Sequence, residues 1–298
     1  MRITDEPRII EPEEWPTYRD SLPEASFLLK PLIPIGSTTF IHGPPGCGKS
    51  AFVWGAANAI TLGQPYLGLE TTKASCLLIS TDMSGIHFKL RWGKNAFIPA
   101  FPFVEFPKYD ITKEAFKTSN FYKKIKIYVD QKQLSCIIFD ALGGFHAGRS
   151  AREDETATLI DATLNNWFPG IAKVLIGHDR KLRQDEQEPD DESFNGSQLW
   201  RANVTSQIHL WRTGNHRSTL HHAKSQVSDL LAQNINLYID VDGKAELWQE
   251  KRAQEVIQKT NVSLRGKATL SNADKVLILI HDHKISERTA WRWLSLTK

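Results

Sequence analysis

From residue 37 to residue 177, short runs rich in apolar residues alternate with longer stretches that are predicted to be helical. Strands are predicted at residues 37–42, 74–81, 135–140 and 172–177, and the run at 74–81 is continuously apolar, as expected of a strand buried on both faces of a sheet. Helices are predicted between them, at residues 49–62, 86–97, 112–133 and 153–167. Strands that alternate with helices of this length predict an α/β fold with a mainly parallel, twisted sheet flanked by helices.

The pattern changes after residue 179. Residues 180–196 are strongly charged and offer almost nothing to bury, which is typical of a functional or disordered loop. Four more strands are predicted to extend the sheet at one edge, at residues 204–211, 218–223, 235–240 and 245–248. The sequence thus predicts a loosely packed N-terminal arm, an α/β domain, a basic linker and a helical tail, over residues 1–30, 31–250, 251–267 and 268–298.

Composition narrows the class of protein. Hydrophobic residues make up 41% of the 298 residues and charged residues 24%, which is typical of a globular chain. No apolar run approaches the ~18–20 residues that span a bilayer, and no signal-peptide pattern is visible at the N-terminus. Cys47, Cys76 and Cys136 lack metal-ligand spacing and indicate free thiols in a reducing compartment. We therefore expect a cytoplasmic protein with no membrane partner.

Charge is distributed unevenly along the chain. The net charge is +3, but residues 251–298 hold ten Lys and Arg against four Asp and Glu, so the first 250 residues are slightly acidic. A basic end on an acidic body favours contact with nucleic acid. A solvated basic face is the alternative interpretation.

A glycine-rich motif lies between the first predicted strand and the first predicted helix. Its eight residues match G-x-x-x-x-G-K-[ST] without a mismatch: Gly43, Pro44, Pro45, Gly46, Cys47, Gly48, Lys49 and Ser50. Such a loop presents converging backbone N–H groups to phosphates at a helix N-terminus. Lys49 is expected to neutralise the β- and γ-phosphates, and Ser50 to join the Mg²⁺ shell. The motif predicts a nucleoside-triphosphate site, against the alternative of a plain glycine-rich turn.

Polar residues that end or follow three other predicted strands are candidates for the rest of the site. Asp140 ends the strand at 135–140 and can hold Mg²⁺ directly or through water. Asp82 follows the strand at 74–81 and is the candidate to orient or deprotonate an attacking water, unless it is a turn residue or a helix N-cap. His178 follows the strand at 172–177, where it either senses the γ-phosphate or is an ordinary exposed histidine.

The layout resembles the RecA-like P-loop ATPase core of the hexameric helicase superfamily, nearest to the plasmid RepA-type helicases and then to DnaB. The resemblance covers roughly residues 33–240 and includes the phosphate loop, the segment Gln64-Pro65-Tyr66-Leu67-Gly68 and the Gly196-Ser197 pair. Residues 80–84 are similar to the DnaB segment whose Glu is the catalytic base. The resemblance implies that Asp82 has this role, with a side chain one methylene shorter than that of Glu. Asp140 and the two residues after it resemble the Walker B continuation, and His178 matches a histidine of the RepA type.

This resemblance implies an ATPase that uses ATP and Mg²⁺ and works as a homo-oligomer, with a hexameric ring as the family's form. ATP is then expected between subunits, with Lys49, Ser50 and Asp140 from one subunit and Lys224 from the next. The family carries a Lys-x-Arg pair here, and this sequence keeps Lys224 but has Gln226 in place of the Arg. Arg212 and Arg217 are the candidates to replace the missing Arg, and a solvated strand-end lysine is the alternative interpretation of Lys224.

The last thirty residues predict two short helices joined by a tight turn. The second helix has Ser286 as its N-cap and carries Arg288, Thr289 and Arg292. Arg288 and Arg292 are about one turn apart and share a face. This pattern fits a helix-turn-helix or winged-helix tail that meets duplex DNA. A helical hairpin packed on the ATPase core or on a neighbouring subunit is the alternative.

In RecA-like rings the loop after the strand at 172–177 lines the central channel. The resemblance therefore implies that Arg180, Lys181 and Arg183 contact single-stranded DNA, although the acidic run that follows favours partial disorder instead. The leading hypothesis is an ATP-hydrolysing, DNA-associated motor, a replicative helicase of a plasmid, phage or other mobile element with replication partners. The alternatives are an ATP-dependent DNA-binding switch or recruiter that separates no strands, and a recombination mediator of the RadA/KaiC type.

Overall fold

The computed structural model describes residues 10–22, 24–80, 99–105, 120–142, 164–180, 199–240, 243–267 and 269–297. Two short strands, β1 (Phe27–Leu29) and β2 (Ile33–Pro34), form a hairpin. Nine more form one sheet: β3 (Thr38–His42), β4 (Cys76–Ser80), β5 (Phe103–Glu105), β6 (Cys136–Asp140), β7 (Ala172–Ile176), β8 (Ser206–Gly214), β9 (Arg217–Ser225), β10 (Ile235–Ile239) and β11 (Ala245–Leu247).

The sheet is parallel in its main part and antiparallel at one edge. Its strands lie in the order β11-β10-β9-β8-β3-β7-β6-β4-β5. All neighbours from β8 to β5 in that order are parallel, whereas β9, β10 and β11 each run antiparallel to the preceding strand. The predicted α/β fold with a mainly parallel sheet is confirmed, and the antiparallel strands extend one edge.

Seven helices have described bounds: α1 (Trp15–Ser21), α2 (Lys49–Leu62), α3 (Asn120–Lys132), α4 (Leu199–Asn203), α5 (Trp248–Ser263), α6 (Asn272–His283) and α7 (Glu287–Ser295). The predicted helix at 49–62 has the bounds of α2, and α3 is the end of the helix predicted at 112–133. The helix predicted at 86–97 and most of that predicted at 153–167 lie outside the described residues, although residues 164–167 are helical. None of the helices described is long and apolar enough to cross a membrane.

Two apolar cores lie on opposite faces of the sheet. On β3, Ile41 belongs to a cluster with Phe52 of α2, while the adjacent Phe40 belongs to a second cluster with Val129 of α3. Side chains of successive strand residues point to opposite faces, so each buried strand contributes to both cores. This arrangement places α2 against one face of the sheet, with its first residue directly after the glycine-rich loop.

The end of the N-terminal arm departs from the prediction. The sequence predicts loose packing for residues 1–30, whereas Leu28 and Leu29 are 1% and 0% exposed and belong to the core cluster of α2. Their apolar run is too short to show a helical or strand periodicity, and it follows an acidic, proline-containing stretch that indicates a loop. The sheet strand β5, only three residues long, escapes sequence prediction for the same reason.

Gly55, inside α2, is required by the segment that follows the helix and packs against it. A Cβ at Gly55 would overlap the hydroxyl of Tyr66, whose ring also packs on Phe52. Glycine within a helix costs about 1 kcal/mol relative to alanine, so a specific contact is expected to require it. The segment 64–68 is thereby held against the helix that follows the phosphate loop.

The C-terminal helices form a separate small core. Val276 and Leu279 of α6 pack with Ala290 and Leu294 of α7. Ser271 and Ser286 cap the two helices, each accepting the backbone N–H three residues ahead. Trp293 packs against this core, whereas Trp291 is 44% exposed. The two-helix tail thus contains the helices, the turn and the cap that the sequence predicts.

A buried histidine outside the glycine-rich loop gives the fold a measurable pH dependence. His222 on β9 is 1% exposed; its Nδ1 accepts the Leu231 N–H, and its Nε2 donates to Ser206 Oγ. Burial, with a smaller contribution from His221, lowers the pKa of His222 to about 4. An unfolded histidine titrates near ~6.5, so between these values the unfolded chain binds more protons and stability falls as the pH falls.

We expect His222→Gln to remove most of this contribution. Between pH 6.5 and pH 4.5 the wild-type chain should lose about 2 kcal/mol more free energy of unfolding than the variant does. Urea unfolding at the two pH values measures the difference. His221→Gln, which removes the smaller contribution of a partly exposed neighbour, is the control and should keep most of the wild-type dependence. Equal pH dependence in wild type and His222→Gln would contradict the assignment.

Candidate functional site

The glycine-rich loop joins β3 to α2, and its glycines occupy positions where a side chain does not fit. A Cβ at Gly43 would overlap the carbonyl oxygen of Leu210 on β8. Gly48 is left-handed, with φ 98°, and a Cβ there would lie 2.9 Å from Ile239 Cγ1. Pro45 and Gly46 are exposed at the tip of the loop. The loop is therefore packed on its inner side and open on its outer side, at the N-terminus of α2.

Lys49 is the first residue of α2 and is held against the loop. Its side chain is buried, and Nζ donates to the carbonyl oxygens of Gly43 at 2.7 Å and Pro44 at 2.9 Å. The ammonium group is thus positioned at the phosphate loop by backbone acceptors. Cys47 beside it is also buried, and burial raises the pKa of its thiol, so it is not an activated thiolate.

The antiparallel edge strands fasten the inner side of the loop. Ser218 on β9 is buried and its hydroxyl donates to the carbonyl of Cys47 at 2.7 Å. Ile239 on β10 covers Gly48, and its own carbonyl lies 2.9 Å from His216 Nδ1. Sequence reasoning missed Ser218 and Ile239 because they contact the loop from 171 and 191 residues away along the chain, and nothing in the local pattern of β9 or β10 indicates these contacts.

Asp140 lies at the same edge of the sheet as the loop. It ends β6, which is separated from β3 by β7, and all three strands are parallel. Its side chain is 2% exposed. The carboxyl ends of parallel strands form the usual ligand-binding edge of an open α/β sheet. Lys49, Ser50 and Asp140 thus share one edge, as the sequence predicts.

These residues fit a nucleoside triphosphate with Mg²⁺. The outer side of the loop and the N-terminus of α2 suit phosphate groups. The N-cap residue is the left-handed Gly48, which has no side chain to cap the helix, so the first backbone N–H groups of α2 are not capped by a side chain of that residue. Lys49 and the loop would hold the phosphates, and Ser50 with Asp140 would hold the metal ion.

A buried triad lies directly beneath the loop. His42 is the last residue of β3, and the register places it beside His209 on β8, with the two rings stacked at 4.5 Å. Asp179, three residues after β7, accepts from His42 Nδ1 at 2.7 Å through Oδ1 and from His209 Nε2 at 3.0 Å through Oδ2. The three side chains are 0–1% exposed.

Hydrogen bonds hold the triad carboxylate in its charged form. Burial alone raises the pKa of Asp179, but the hydrogen bonds from His209 and His42 outweigh it, and the pKa falls below its usual value. His and Asp are also zinc ligands, and these atoms all lie within 4.8 Å of one another. Two ligands of one tetrahedral zinc lie about 3.3 Å apart, however, and each imidazole here meets a different oxygen at hydrogen-bond distance. We interpret the triad as a hydrogen-bonded network.

The triad was accessible to sequence reasoning only in part. His42 follows Phe40 and Ile41, and His209 lies between Ile208 and Leu210; a polar residue next to apolar strand residues indicates a buried partner. The partner itself depends on the neighbour order β7-β3-β8, which sequence spacing does not give.

Other predicted site residues lie near this edge or outside the described part of the chain. His178 is half-buried and lies directly before Asp179, and the partly buried Arg180 follows it. Asp82, Lys181 and Arg183 lie outside the described residues, so their predicted roles stay predictions.

Lys224 lies at the opposite edge of the sheet from the loop. On β9 it is in register with Gln207, near the start of β8, and its Nζ donates to the carbonyls of Arg201 and Ala202 at 2.8 and 3.0 Å. Burial, reinforced by Arg201, lowers the pKa of its ammonium group. Lys224 thus holds the end of α4 in its own chain, and a role at a γ-phosphate requires the phosphate of another chain.

The two substitutes considered for the missing Arg lie at the turn between β8 and β9. Arg212 Nε donates to the carbonyl of Gly214, and the guanidinium of Arg217 lies 4.8 Å from the centre of the Trp248 ring. Both arginines are exposed, at the edge of the sheet that carries the phosphate loop.

The tail presents its arginines to solvent. Arg288 and Arg292 are exposed on α7, and Thr289 is half-buried behind the Ser286 cap. Arg292 and Thr289 also border a cavity of about 540 Å³ between α7 and α5, together with Arg252 and Trp248. The predicted DNA-binding side chains are therefore available on one helix.

The loop, the buried Lys49 and the strand-end Asp140 define the chain as a P-loop nucleotide-binding protein of the α/β class. A family model described as an AAA domain matches residues 6–184, more than half of the chain and all three features. The protein belongs to this family of P-loop ATPases, which implies nucleotide binding and usually Mg²⁺. A comparison with characterised proteins gives no significant match.

Proposed function

We propose that this protein is an ATP-driven, DNA-associated motor of the RepA/DnaB type, a homo-oligomer that works in the replication of a plasmid, phage or other mobile element. The observation that carries the proposal is the combination of the phosphate loop and Asp140 at one edge of the sheet with a two-helix tail that exposes Arg288 and Arg292. The AAA family membership supports the ATPase part. The motor part rests on the resemblance and on the charge of the tail.

The proposed reaction is ATP hydrolysis at the edge formed by β3, β6 and β7. Lys49 and the loop hold the phosphates, and Ser50 and Asp140 hold Mg²⁺, which neutralises charge on the phosphate oxygens. Asp82 is the proposed base and His178 the proposed γ-phosphate sensor. This role is supported by the neighbouring residue, because the Asp179 backbone N–H donates to the loop carbonyl of Gly43 at 3.1 Å.

The proposed DNA contacts have two parts. Arg288, Thr289 and Arg292 on α7 would contact duplex DNA, since α6 and α7 are joined by a short turn around Lys284 and keep one face of α7 exposed. Arg180, Lys181 and Arg183 would contact single-stranded DNA in the channel of a ring.

A second candidate function is an ATP-dependent DNA-binding switch that separates no strands. The observation that favours it is Lys224, which binds two carbonyls of its own chain, so a role in the neighbour's site would first cost these hydrogen bonds. The shorter base at Asp82 and the missing Arg at Gln226 favour slow turnover as well.

Strand displacement and ATP turnover together separate the two functions. For the motor we expect single-stranded DNA to raise Mg²⁺-dependent ATP turnover by about tenfold and a fluorescent duplex with a single-stranded tail to be opened only when ATP is present. Tight duplex binding with slow turnover, unstimulated by single strands and with no displacement, would contradict the motor and support the switch.

A double variant tests the part played by the tail in the same assays. Arg288→Ser with Arg292→Ser should weaken duplex binding and reduce the slope of log affinity against log salt by about 1.8, since each phosphate contact contributes ~0.9. Lys259→Ser with Arg265→Ser removes the same charge from exposed positions before the tail and is the control. An equal loss in both double variants would show that net charge, not α7, determines DNA binding.

A further inference from the structure

The buried triad is connected to the phosphate loop through one backbone carbonyl. The carbonyl oxygen of Gly43 accepts the backbone N–H of Asp179 at 3.1 Å and the ammonium of Lys49 at 2.7 Å. The residue that holds the two imidazoles therefore also holds the first carbonyl of the loop. That carbonyl is one of the two that position Lys49.

The hydrogen bonds of the triad indicate where its protons lie around the Asp179 carboxylate. The side-chain amide nitrogen of Gln207 can only donate, and it lies 2.8 Å from His42 Nε2, so Nε2 accepts and the proton of His42 is on Nδ1. His42 Nδ1 then donates to Asp179, as does His209 Nε2. Because the buried Asp179 carboxylate accepts from these two donors, its position is strongly restricted.

We infer that Asp179, His42 and His209 form a positioning triad for nucleotide binding: they hold the Asp179 backbone so that the Gly43 carbonyl stays in place and Lys49 remains aimed at the phosphates. This inference rests on the ATP-binding part of the proposed function. The three residues act through Gly43 and Lys49, and none of them is assigned a contact with the nucleotide.

The arrangement also explains how the Lys49 ammonium group can move from the carbonyls of Gly43 and Pro44 to a phosphate oxygen. When the ammonium moves to a phosphate oxygen, the buried Gly43 carbonyl keeps the Asp179 N–H as its partner. An unpartnered buried carbonyl is costly, so the triad lowers the cost of releasing Lys49. Without the triad, part of the binding free energy would be spent on ordering the loop.

Replacement of His209 tests the inference through ATP affinity measured without DNA. His209→Met removes the donor to Asp179 Oδ2, whereas His209→Gln can place an amide N–H close to the position of Nε2. The matched control is His222→Met on the next strand, because His222 is equally buried and hydrogen-bonded but contacts Ser206 and Leu231, not the loop. Binding of a fluorescent ATP analogue with Mg²⁺ and the melting temperature without nucleotide are measured for each.

We expect His209→Met to weaken ATP binding by about tenfold, His209→Gln to stay within about threefold of wild type, and His222→Met to bind as wild type although it melts earlier. If His209→Met fails to fold, Asp179→Asn keeps the side-chain volume and should show the same tenfold loss. Wild-type affinity in His209→Met, no rescue by Gln, or an equal loss in His222→Met would overturn the inference. Failure of the motor proposal appears separately, as absent strand displacement with these affinities unchanged.

Discussion

Lys49→Ala should weaken ATP binding by about 100-fold or more while leaving the chain folded. The ammonium makes two hydrogen bonds to loop carbonyls and is expected to transfer them to phosphate oxygens, where hydrogen bonds to charged groups are worth about 1.5–3 kcal/mol each. The fold should survive because the hydrogen bonds described for the ammonium group join it to the loop itself, at Gly43, Pro44 and Cys47. Equilibrium binding of labelled ATP, together with a melting curve, measures both effects.

The control for Lys49 is Lys73→Ala, which removes an equal charge from an exposed position outside the loop. It should bind ATP as the wild type does. Unchanged affinity in folded Lys49→Ala would mean that the phosphates lie elsewhere, and the assignment of the loop would be wrong.

Asp140→Asn should reduce ATP turnover by about 100-fold with a much smaller effect on ATP affinity. The substitution preserves shape at a site that is 2% exposed but removes the charge that would hold Mg²⁺, and a metal ion stabilises the transferring phosphoryl group by several kcal/mol. Turnover should be measured across a Mg²⁺ titration, where the variant is expected to need far more metal. Asp130→Asn, at an exposed residue paired with Lys126, is the control.

Turnover that is unaffected in Asp140→Asn, with the same Mg²⁺ requirement as wild type, would contradict the metal assignment. A loss of ATP binding equal to that of Lys49→Ala would also contradict the metal assignment, because it would show that Asp140 is needed for nucleotide binding itself.

The phosphate loop and the elements around it could be predicted because their signals are local. Gly43 to Ser50 carry the whole pattern within eight residues, and α2 begins after this loop and ends before Gly63, as its flanking turn residues predict. The strands Cys76–Ser80 and Cys136–Asp140 are apolar runs with a polar last residue, so both the strand and its terminal Asp140 are visible in sequence. The short strand Phe103–Glu105 has too few residues to show a period.

The parts that sequence could not give depend on which strands become neighbours. His42, Asp179 and His209 meet only because β7 and β8 flank β3, and Ser218 meets Cys47 only because β9 returns along β8. Lys224 is similar: its position in the sequence fits a residue that reaches a neighbouring subunit, whereas its side chain binds the end of α4. Long-range pairing, not local propensity, decides all three.

The most direct test of the central claim is phosphate release from ATP by the purified full chain, with Lys49→Ala measured in parallel. The account predicts saturable, Mg²⁺-dependent release by the wild type that is lost on chelation of the metal and reduced by about 100-fold in the variant. Release that is absent from a folded wild-type chain at saturating ATP and Mg²⁺, or that persists unchanged in Lys49→Ala, would contradict it.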